Sequence, residues 1–333
     1  MGLLFTPKLK WSKALTALTA QAKKSLNSIN SYRYMYGPLT HYDYFKVFDS
    51  MVKPILCYGS ELWGYSYRST VENTQISACK QFLGVGKNTS NQMALGECGR
   101  YPLCLDYYVK FLKYWCKLIH MAPYRYPKQC YIMLKKLDDC GRHTYATEVR
   151  NLLFTHGFGF VWISQDIGNT KAFIAEFKLR LKDILQQNWH NALSNTSKGC
   201  FYTQFKSLLN VEHYLLFDLP FYLRKAFAKF RCSNHRLNVE VGRHHNVLRE
   251  DRLCTFCLGE SDIETVEDEI HVFFYCKRYE KYREIYIGKQ LNKTQEAFNA
   301  YMSCSNELRL LNICKFIHKI MQVRSDNIVS LYL

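Results

Sequence analysis

The sequence CTFC at residues 254–257, followed thirteen residues later by HVFFYC at 271–276, decides how the C-terminal part of the chain folds. The spacing is C-x2-C-x13-H-x4-C. Two thiols in a tight turn, and a second pair at the start of a following helix, can surround one ion. Four nitrogen and sulfur ligands with no open position are typical of structural zinc. We therefore expect Cys254, Cys257, His271 and Cys276 to bind a structural zinc ion.

Two alternatives to this zinc site stay open. The four residues are a chance grouping in a chain with 14 cysteines, or His244-His245 supplies a ligand despite its irregular spacing from the thiols. The other cysteines occur singly between Cys57 and Cys314, as small core residues do.

The composition indicates an anion-binding protein of two or three domains. The chain has 333 residues, 48% of them hydrophobic, and 45 Lys and Arg against 28 Asp and Glu, for a net charge of +17. Such an excess favours a polyanionic partner, RNA or DNA. A membrane surface also attracts positive charge, but no apolar run reaches the roughly 18–20 residues that span a bilayer. Lys8 and Lys10 follow the short apolar start instead of preceding it, so we expect no signal peptide and an intracellular protein with reduced thiols.

The hydrophobic periodicity predicts a mainly α-helical fold. Apolar side chains recur at helical spacing, and sustained period-two alternation is rare. Capping residues, Gly and Pro bound the clearest helices, which are 12–36, 45–54, 70–83, 102–119 and 170–193. Pro54 should kink or end the second helix. We expect a helical domain at 1–121, a helical connector at 122–220, a basic segment with the zinc knuckle at 221–285, and C-terminal helices at 286–333.

Two stretches carry the candidate nucleic-acid contacts. The first 42 residues contain six basic side chains and no acidic one, and residues 221–252 contain eight Lys or Arg against three acids. A short basic run also follows Cys276. The predicted phosphate contacts are Lys8, Lys10, Lys13, Lys23, Lys24, Arg224, Lys225, Lys229, Arg231, Arg236, Arg243, Lys277, Arg278 and Lys281. The alternative is that these are ordinary solvated helix faces.

Six acidic residues and no basic one lie between Cys257 and His271. A phosphate backbone would repel this loop. The acids either face a partner protein or pair with the chain's own arginines, or they form an ordinary solvated loop, which is the interpretation we favour.

Catalytic signatures are missing from the sequence. The Asp138-Asp139 pair ends a helix beside basic residues and lacks the apolar strand flanks of a polymerase metal site, so we interpret it as a surface helix end. There is no phosphate-binding G-x-x-x-x-G-K-[ST] loop, no G-x-S-x-G elbow and no H-E-x-x-H motif.

Five segments together resemble LINE-type (non-LTR) retrotransposon reverse transcriptases. Residues 3–13 (LLFTPKLKWSK) resemble the segment just after the polymerase palm, and residues 48–64 (FDSMVKPILCYGSELWG) resemble the thumb. So do residues 79–85 (CKQFLGV) and 96–103 (GECGRYPL), while 267–271 (EDEIH) before the last cysteine are similar to the family's C-terminal cysteine–histidine motif. The resemblance follows the chain in order and is thin between residues 120 and 231.

The resemblance implies a thumb-like helical domain that clamps a template–primer duplex, and a C-terminal region that binds element RNA or target DNA. The family's catalytic aromatic-x-Asp-Asp signature has no counterpart here, so we expect a non-catalytic fragment of an RNA-directed DNA polymerase that begins inside its parent polypeptide. Its partners would be nucleic acid and the remaining parts of the reverse transcriptase. The alternatives are a zinc-containing protein-interaction module, an enzyme whose site the sequence does not reveal, and a transposable-element remnant with no selected function.

Overall fold

The computed structural model describes residues 2–7, 10–196, 198–261 and 263–330, with the side chains of 260, 261 and 327–330 excluded. Helices dominate these residues, and the described part contains no β-strand, only isolated bridges that join Cys98 to Val211 and Leu253 to Val266. The predicted mainly α fold class is confirmed.

Eighteen α-helices and four short helical turns follow one another along the described chain. The helices are α1 Ser12–Tyr36, α2 His41–Val47, α3 Lys53–Leu56, α4 Ser60–Trp63, α5 Ser69–Leu83, α6 Asn91–Glu97, α7 Cys104–Ile119, α8 Tyr126–Asp139, α9 Tyr145–Thr155, α10 Gly159–Ser164, α11 Thr170–Ser194, α12 Tyr202–Phe205, α13 Phe221–Arg231, α14 Asn238–His244, α15 Thr255–Ser261, α16 Glu280–Tyr286, α17 Gln295–Met302 and α18 Glu307–Ser330. Phe48–Val52 and His271–Tyr275 are π-helical turns, and His213–Leu215 and Lys277–Tyr279 are 3₁₀ turns.

The chain forms two compact units whose segments alternate along the sequence. The first unit contains Met1–Gly37, Phe45–Gln75 and Tyr101–Asn188, and the second contains Pro38–Tyr44, Ile76–Arg100 and Trp189–Leu333. The four domains expected from the sequence divide the chain consecutively, and that division stays a prediction.

The core of the first unit gathers around α7. Phe111, Leu112 and Trp115 of this helix are buried, together with Phe173 and Phe177 of α11. The predicted bounds of both helices agree with the structure to within two residues. The apolar periodicity therefore identified buried residues of both helices, whereas the sequence placed α7 and α11 in different domains and did not predict a shared core.

Pro54 does not end the helical segment in which it lies. The π-helical turn Phe48–Val52 precedes α3, and helical structure continues to Leu56. Proline has no N–H and crowds the carbonyl four residues earlier, so a widened turn just before it relieves the clash.

The N-terminus of α7 is capped by a buried carboxylate from α5. The backbone N–H groups of Leu103 and Cys104 donate to Glu72 Oε2 and Oε1 over 2.7 and 2.8 Å. Burial raises the pKa of Glu72 to about 7, even though these two hydrogen bonds favour the ionised form.

The Asp138-Asp139 interpretation needs a correction. Asp138 is buried, accepts a 2.7 Å hydrogen bond from the Thr147 hydroxyl and lies 3.2 Å from the Arg150 guanidinium. Since α9 packs against the end of α8, the Asp138 side chain serves a structural contact between these helices.

The core of the second unit is aromatic. Helix α13 packs along α18, and the ring of Phe273 lies 5.3 Å from Phe316 and 5.7 Å from Phe298. Val272, Phe273 and Phe274 are buried, as expected for residues that pack the cysteine–histidine segment onto its surroundings. Of the described helices, none combines the length and the hydrophobicity needed to cross a membrane.

Candidate metal centre

The two halves of the cysteine–histidine motif are brought together by backbone pairing. Cys254 N donates to the Thr265 carbonyl over 2.8 Å, beside the bridge between Leu253 and Val266. Ile263 N donates to the Cys257 carbonyl over 3.2 Å. Cys254 therefore precedes α15, Cys257 lies in its first turn, and the returning chain leads directly to His271.

A π-helical turn explains the H-x4-C spacing. Cys276 N donates to the His271 carbonyl over 2.9 Å, a hydrogen bond between residues five apart. That closure is the π-helical pattern, in contrast to the four-residue closure of an α-helix. This closure brings the side chains of His271 and Cys276, one turn apart, to the same side of the turn. In an α-helix, two residues five positions apart would point in different directions. The sequence predicted a helix start at this point, and the structure has the wider turn.

The four ligand atoms converge on one point. Cys254, Cys257, His271 and Cys276 are all buried, and their ligand atoms lie within 4.8 Å of one another. Cys276 Sγ lies 3.9 Å from Cys254 Sγ and 3.8 Å from Cys257 Sγ, while Cys257 Sγ lies 3.4 Å from His271 Nε2. These four residues can hold a metal ion, with the imidazole binding through Nε2. The alternative ligands His244 and His245 are exposed and lie outside this group.

The cluster already favours a thiolate. The hydrogen bond from Cys276 lowers the pKa of Cys254 to about 3, whereas burial raises the pKa of Cys257. The thiolate is the form of cysteine that binds metals, so the polar contacts within the group prepare Cys254 for an ion.

The acids before His271 are structural. Glu267 and Glu269 are buried, and Glu267 Oε2 accepts from Asn238 N and from Arg324 Nη2, each over 2.8 Å. Asp268 Oδ1 accepts from His271 N over 2.9 Å, and its second oxygen lies 3.1 Å from Arg249. The solvated-loop interpretation is therefore wrong for these three acids, and pairing with the chain's own basic groups is the correct alternative. Glu264 is exposed. Asp262 and the side chain of Glu260 lie outside the described residues.

Glu269 is tied to the turn that follows α13. Its Oε1 accepts from the Ser233 hydroxyl over 2.8 Å and lies 3.0 Å from His235 Nε2. Although burial opposes ionisation, the His235 ring and the Ser233 hydrogen bond hold the pKa of Glu269 below its usual value.

Two buried arginines support the centre. The basic run after Cys276 led us to expect Arg283 on the cationic surface, which is wrong, and Arg324 was not among the predicted site residues. Buried Arg283 donates from Nε to the Phe273 carbonyl over 2.7 Å and from Nη2 to the Cys276 carbonyl over 2.9 Å. Arg324 of α18 lies close to both halves of the motif, since its Nη1 donates to the Thr255 hydroxyl over 3.3 Å. An arginine that caps several carbonyls gives no signal in the sequence, because its partners are backbone atoms.

The structure separates the predicted phosphate contacts by exposure. Lys8 lies outside the described residues. Lys10, Lys13, Lys23 and Lys24 are exposed in the first unit, and Arg236, Lys277, Arg278 and Lys281 are exposed in the second. Lys225, Lys229 and Arg243 are half-buried, and Arg243 lies 3.0 Å from Glu240. The exposed residues after Cys276 adjoin the metal ligands along the chain, whereas those in the first unit belong to a separate body.

The prediction that Arg231 contacts phosphate is wrong. Its guanidinium is fully buried, lies 2.8 Å from Glu97 and 2.6 Å from Glu212, and also donates to the Met302 carbonyl. The Arg231 charge lowers the pKa of Glu97 despite the burial that would otherwise raise it. Because a phosphate cannot reach this side chain in the fold, Arg231 is a core residue.

Arg224 is also buried. Its guanidinium lies 4.5 Å from the centre of the Phe82 ring and donates to the Leu39 carbonyl over 3.5 Å. These contacts make Arg224 part of the packing of α13, and they correct its selection as a phosphate contact.

Comparison with known proteins adds no relative: no family model, no curated protein and no solved structure matches the chain. The metal centre and the exposed basic residues are therefore interpreted from their own chemistry.

Proposed function

We propose that this chain is a non-catalytic nucleic-acid-binding part of a LINE-type non-LTR retrotransposon reverse transcriptase, held in shape by structural zinc. The resemblance of residues 3–13, 48–64, 79–85 and 96–103 to the region from the palm end through the thumb supports the family. The absence of the polymerase aspartates from the sequence supports a binding role without catalysis. We also propose an intracellular location, where thiols stay reduced.

Zinc is the ion that the donor set favours. Three cysteine sulfurs and one imidazole nitrogen form a common structural zinc set, and soft thiolates disfavour magnesium and calcium. Two sulfurs bound at about 2.3 Å to a tetrahedral ion lie about 3.8 Å apart. The separations of 3.8 and 3.9 Å between Cys276 Sγ and the other two sulfurs fit that geometry. All four positions are filled by protein, so the ion would serve folding and would offer no site for a substrate.

One observation carries the nucleic-acid proposal: basic residues after the last metal ligand stay exposed, while two of the acids before His271 are buried inside the protein. Lys277, Arg278 and Lys281 are exposed directly after the last ligand. Glu267 and Glu269, which would repel a phosphate, are buried in contacts with Arg324 and His235. Within residues 277–284, three exposed basic residues accompany the two exposed acids Glu280 and Glu284, so this stretch keeps a positive excess, for which phosphates are a suitable ligand.

The same contacts weaken the protein-interaction alternative. That function needs the acids between Cys257 and His271 to face a partner, and Glu267, Asp268 and Glu269 are instead occupied by groups of this chain. The enzyme alternative would require turnover that depends on a divalent metal, and the closed ligand set gives it no support.

Fluorescence anisotropy of a labelled RNA–DNA hybrid tests the proposal. The zinc-loaded chain should bind at 50 mM salt and lose affinity steeply by 200 mM, because each lysine or arginine bound to a phosphate displaces counterions. The double variant Lys277→Gln/Lys281→Gln should bind less tightly and show a shallower salt dependence. Affinity that is independent of salt would contradict the proposal.

A further inference from the structure

The loop between α5 and α6, residues 84–90, is fixed against α13 within the second unit. Gly86 N donates to Asn234 Oδ1 over 2.7 Å, just after the end of α13. A Cβ at Gly84, where φ is +70°, would lie 2.9 Å from Lys225 Cγ, so the stem of this lysine lies directly on the loop backbone. The α5–α6 loop and one side of α13 therefore form a continuous surface.

Three cations lie on this surface, all in α13 or shortly after it. Lys225 and Lys229 are one turn apart and half-buried, and Arg236 is exposed. In the part of the chain that the structure describes, their side chains take part in no hydrogen bond or ion pair. Burial, and then the charges of Lys225 and Arg236, lower the pKa of Lys229. The three groups therefore lie close enough to repel one another.

Two further lysines hold the loop through neutral oxygens. Lys80 Nζ donates to the Lys87 carbonyl over 2.8 Å and to Asn91 Oδ1 over 2.7 Å. Buried Lys198 donates from Nζ to the Asn88 carbonyl over 3.2 Å. A buried charge is normally paired with an opposite charge, whereas the hydrogen-bond partners that the described residues supply to these lysines are uncharged. Both ammonium groups thus add to the positive potential around the loop.

Acidic residues are absent from the sequence that builds this surface. Residues 73–96 and 219–239 contain no Asp or Glu. Two acids approach from neighbouring segments, Glu240 and Glu269, and both are buried and paired with basic side chains of their own. The accessible side of the surface therefore presents positive charge that the protein itself leaves uncompensated.

We propose that the surface formed by the α5–α6 loop and α13 binds the phosphodiester backbone of nucleic acid, with phosphates held by Lys225, Lys229 and Arg236. The proposal rests on the nucleic-acid binding proposed above and specifies a second contact surface and the atoms of the ligand that it recognises. Lys225 and Lys229 are about 6 Å apart along the helix axis, and a strand carries a negative charge on every nucleotide. One strand can therefore contact both ammonium groups at once and relieve their repulsion.

The regular charge of a strand favours nucleic acid over an acidic protein segment as the occupant. A strand offers phosphates all along its length, so it can meet cations on α13 and beyond its end together. An acidic segment must instead supply carboxylates at matching positions. Because lysine and arginine contacts to phosphate carry no sequence information, binding here should be independent of base sequence.

Salt titrations of two labelled DNA duplexes, equal in length and unrelated in sequence, test the proposal with the zinc-loaded full chain. The site variant Lys225→Gln/Lys229→Gln/Arg236→Gln should make the plot of log affinity against log salt shallower by up to about 2.7, because each phosphate contact contributes about 0.9. The reduction should be the same for both duplexes. Since these side chains have no partner among the described residues, the variant should keep the urea unfolding midpoint of the parent chain.

The matched control removes the same number of charges from another helix. Lys171, Lys178 and Arg180 are exposed on α11, which also carries the acids Glu176 and Asp183. The variant Lys171→Gln/Lys178→Gln/Arg180→Gln should change the salt slope by less than about 0.9, the value of one phosphate contact. This control separates a local contact from the general effect of lower net charge.

The outcomes separate this inference from the function on which it depends. If the parent chain binds in a salt-dependent manner but the site variant changes the slope no more than the control does, the inference is overturned and the proposed function stands. An effect confined to one duplex would indicate base contacts and also overturn the inference. Binding of a poly-glutamate peptide as tight as that of DNA, abolished in the site variant, would assign the surface to an acidic protein instead. If the parent chain binds neither these duplexes nor the RNA–DNA hybrid at 50 mM salt, both proposals are overturned.

Discussion

The surroundings of the metal centre and the helix α1 use charged residues in opposite ways. Around the centre and elsewhere in the second unit, arginines and acids are buried together, as in the contact of Arg324 with Glu267 and that of Arg231 with Glu97. Along α1, lysines are exposed and no acid accompanies them. Both regions are basic by count, but the first pairs much of its charge internally and leaves Lys277, Arg278 and Lys281 exposed to a ligand, whereas the second exposes Lys13, Lys23 and Lys24 without neighbouring acids in the sequence. Charge density in a sequence therefore indicates a polyanion site only after the internally paired residues have been removed.

The largest expected effect comes from removing the ion that organises the first of these regions. Cys257→Ala should abolish stoichiometric zinc binding and destabilise the second unit by on the order of 5 kcal/mol, since the binding energy of structural zinc is also folding energy. Zinc content by atomic absorption, together with urea unfolding, measures both effects. Cys130→Ala, at an exposed cysteine of α8, is the matched control and should keep its zinc and its stability. Equal zinc content in both variants would contradict the assignment.

The next effect separates a buried arginine from an exposed one. Arg231→Leu should cost about 3–5 kcal/mol, because it leaves Glu97 buried without its partner. Arg236→Leu, at an exposed position, should stay within about 0.5 kcal/mol. Urea unfolding of the two variants gives the difference directly. Similar costs would show that burial does not distinguish these two side chains, and the comparison would fail.

A pH titration tests the buried cap of α7 in the first unit. Burial raises the pKa of Glu72 to about 7 in the folded state, above its ordinary value of 4.5. Between pH 4.5 and 7, the unfolded chain therefore binds fewer protons at this site than the folded chain does. As the pH rises through that window, ionisation of Glu72 should lower the free energy of unfolding by about 3 kcal/mol.

The measurement for Glu72 is the free energy of unfolding at pH 4.5, 6 and 7.5. Glu72→Gln cannot ionise, so the difference between the parent chain and this variant should shift in favour of the variant by that amount across the window. A difference that stays constant with pH would show that Glu72 does not titrate there.

The smallest effect belongs to an ion pair at the edge of the metal segment. Arg249 is exposed and lies 3.1 Å from Asp268. Exposed pairs contribute about 0–1 kcal/mol, so Arg249→Gln should destabilise the chain by less than about 1 kcal/mol and should retain its zinc. Thermal unfolding with a zinc assay checks both. A loss of several kcal/mol would show that this pair is as strongly coupled to the fold as the buried pair of Arg324 and Glu267, and would contradict the prediction.

Local signals allowed much of the helical framework to be predicted. Gly37 and Gly84 have positive φ angles and follow the last residues of α1 and α5, as their positions in the sequence indicated. The metal ligands were found because their spacing is constrained by the geometry of one ion. These features depend on residues close together in the sequence or on a fixed chemical pattern.

The burial of individual charges could not be predicted in the same way. Glu267 meets Arg324 across 57 residues, and Glu97 meets Arg231 across 134. Nothing in the local sequence distinguishes Arg231 from the exposed Arg236 five residues later. Those pairings depend on tertiary packing. For this reason the prediction of phosphate contacts was wrong for two residues of the basic segment before Cys254, Arg224 and Arg231.

Lysine-acylation footprinting with and without a single-stranded oligonucleotide tests the central claim most directly, since it reports exposed and buried amines in one experiment. In the zinc-loaded chain, bound nucleic acid should protect Lys13, Lys23, Lys24, Lys225, Lys229, Lys277 and Lys281. Lys198 and Lys206 are buried and should react slowly in both states. Protection confined to the first group is the predicted result, and unchanged reactivity of that group under saturating oligonucleotide would contradict the account.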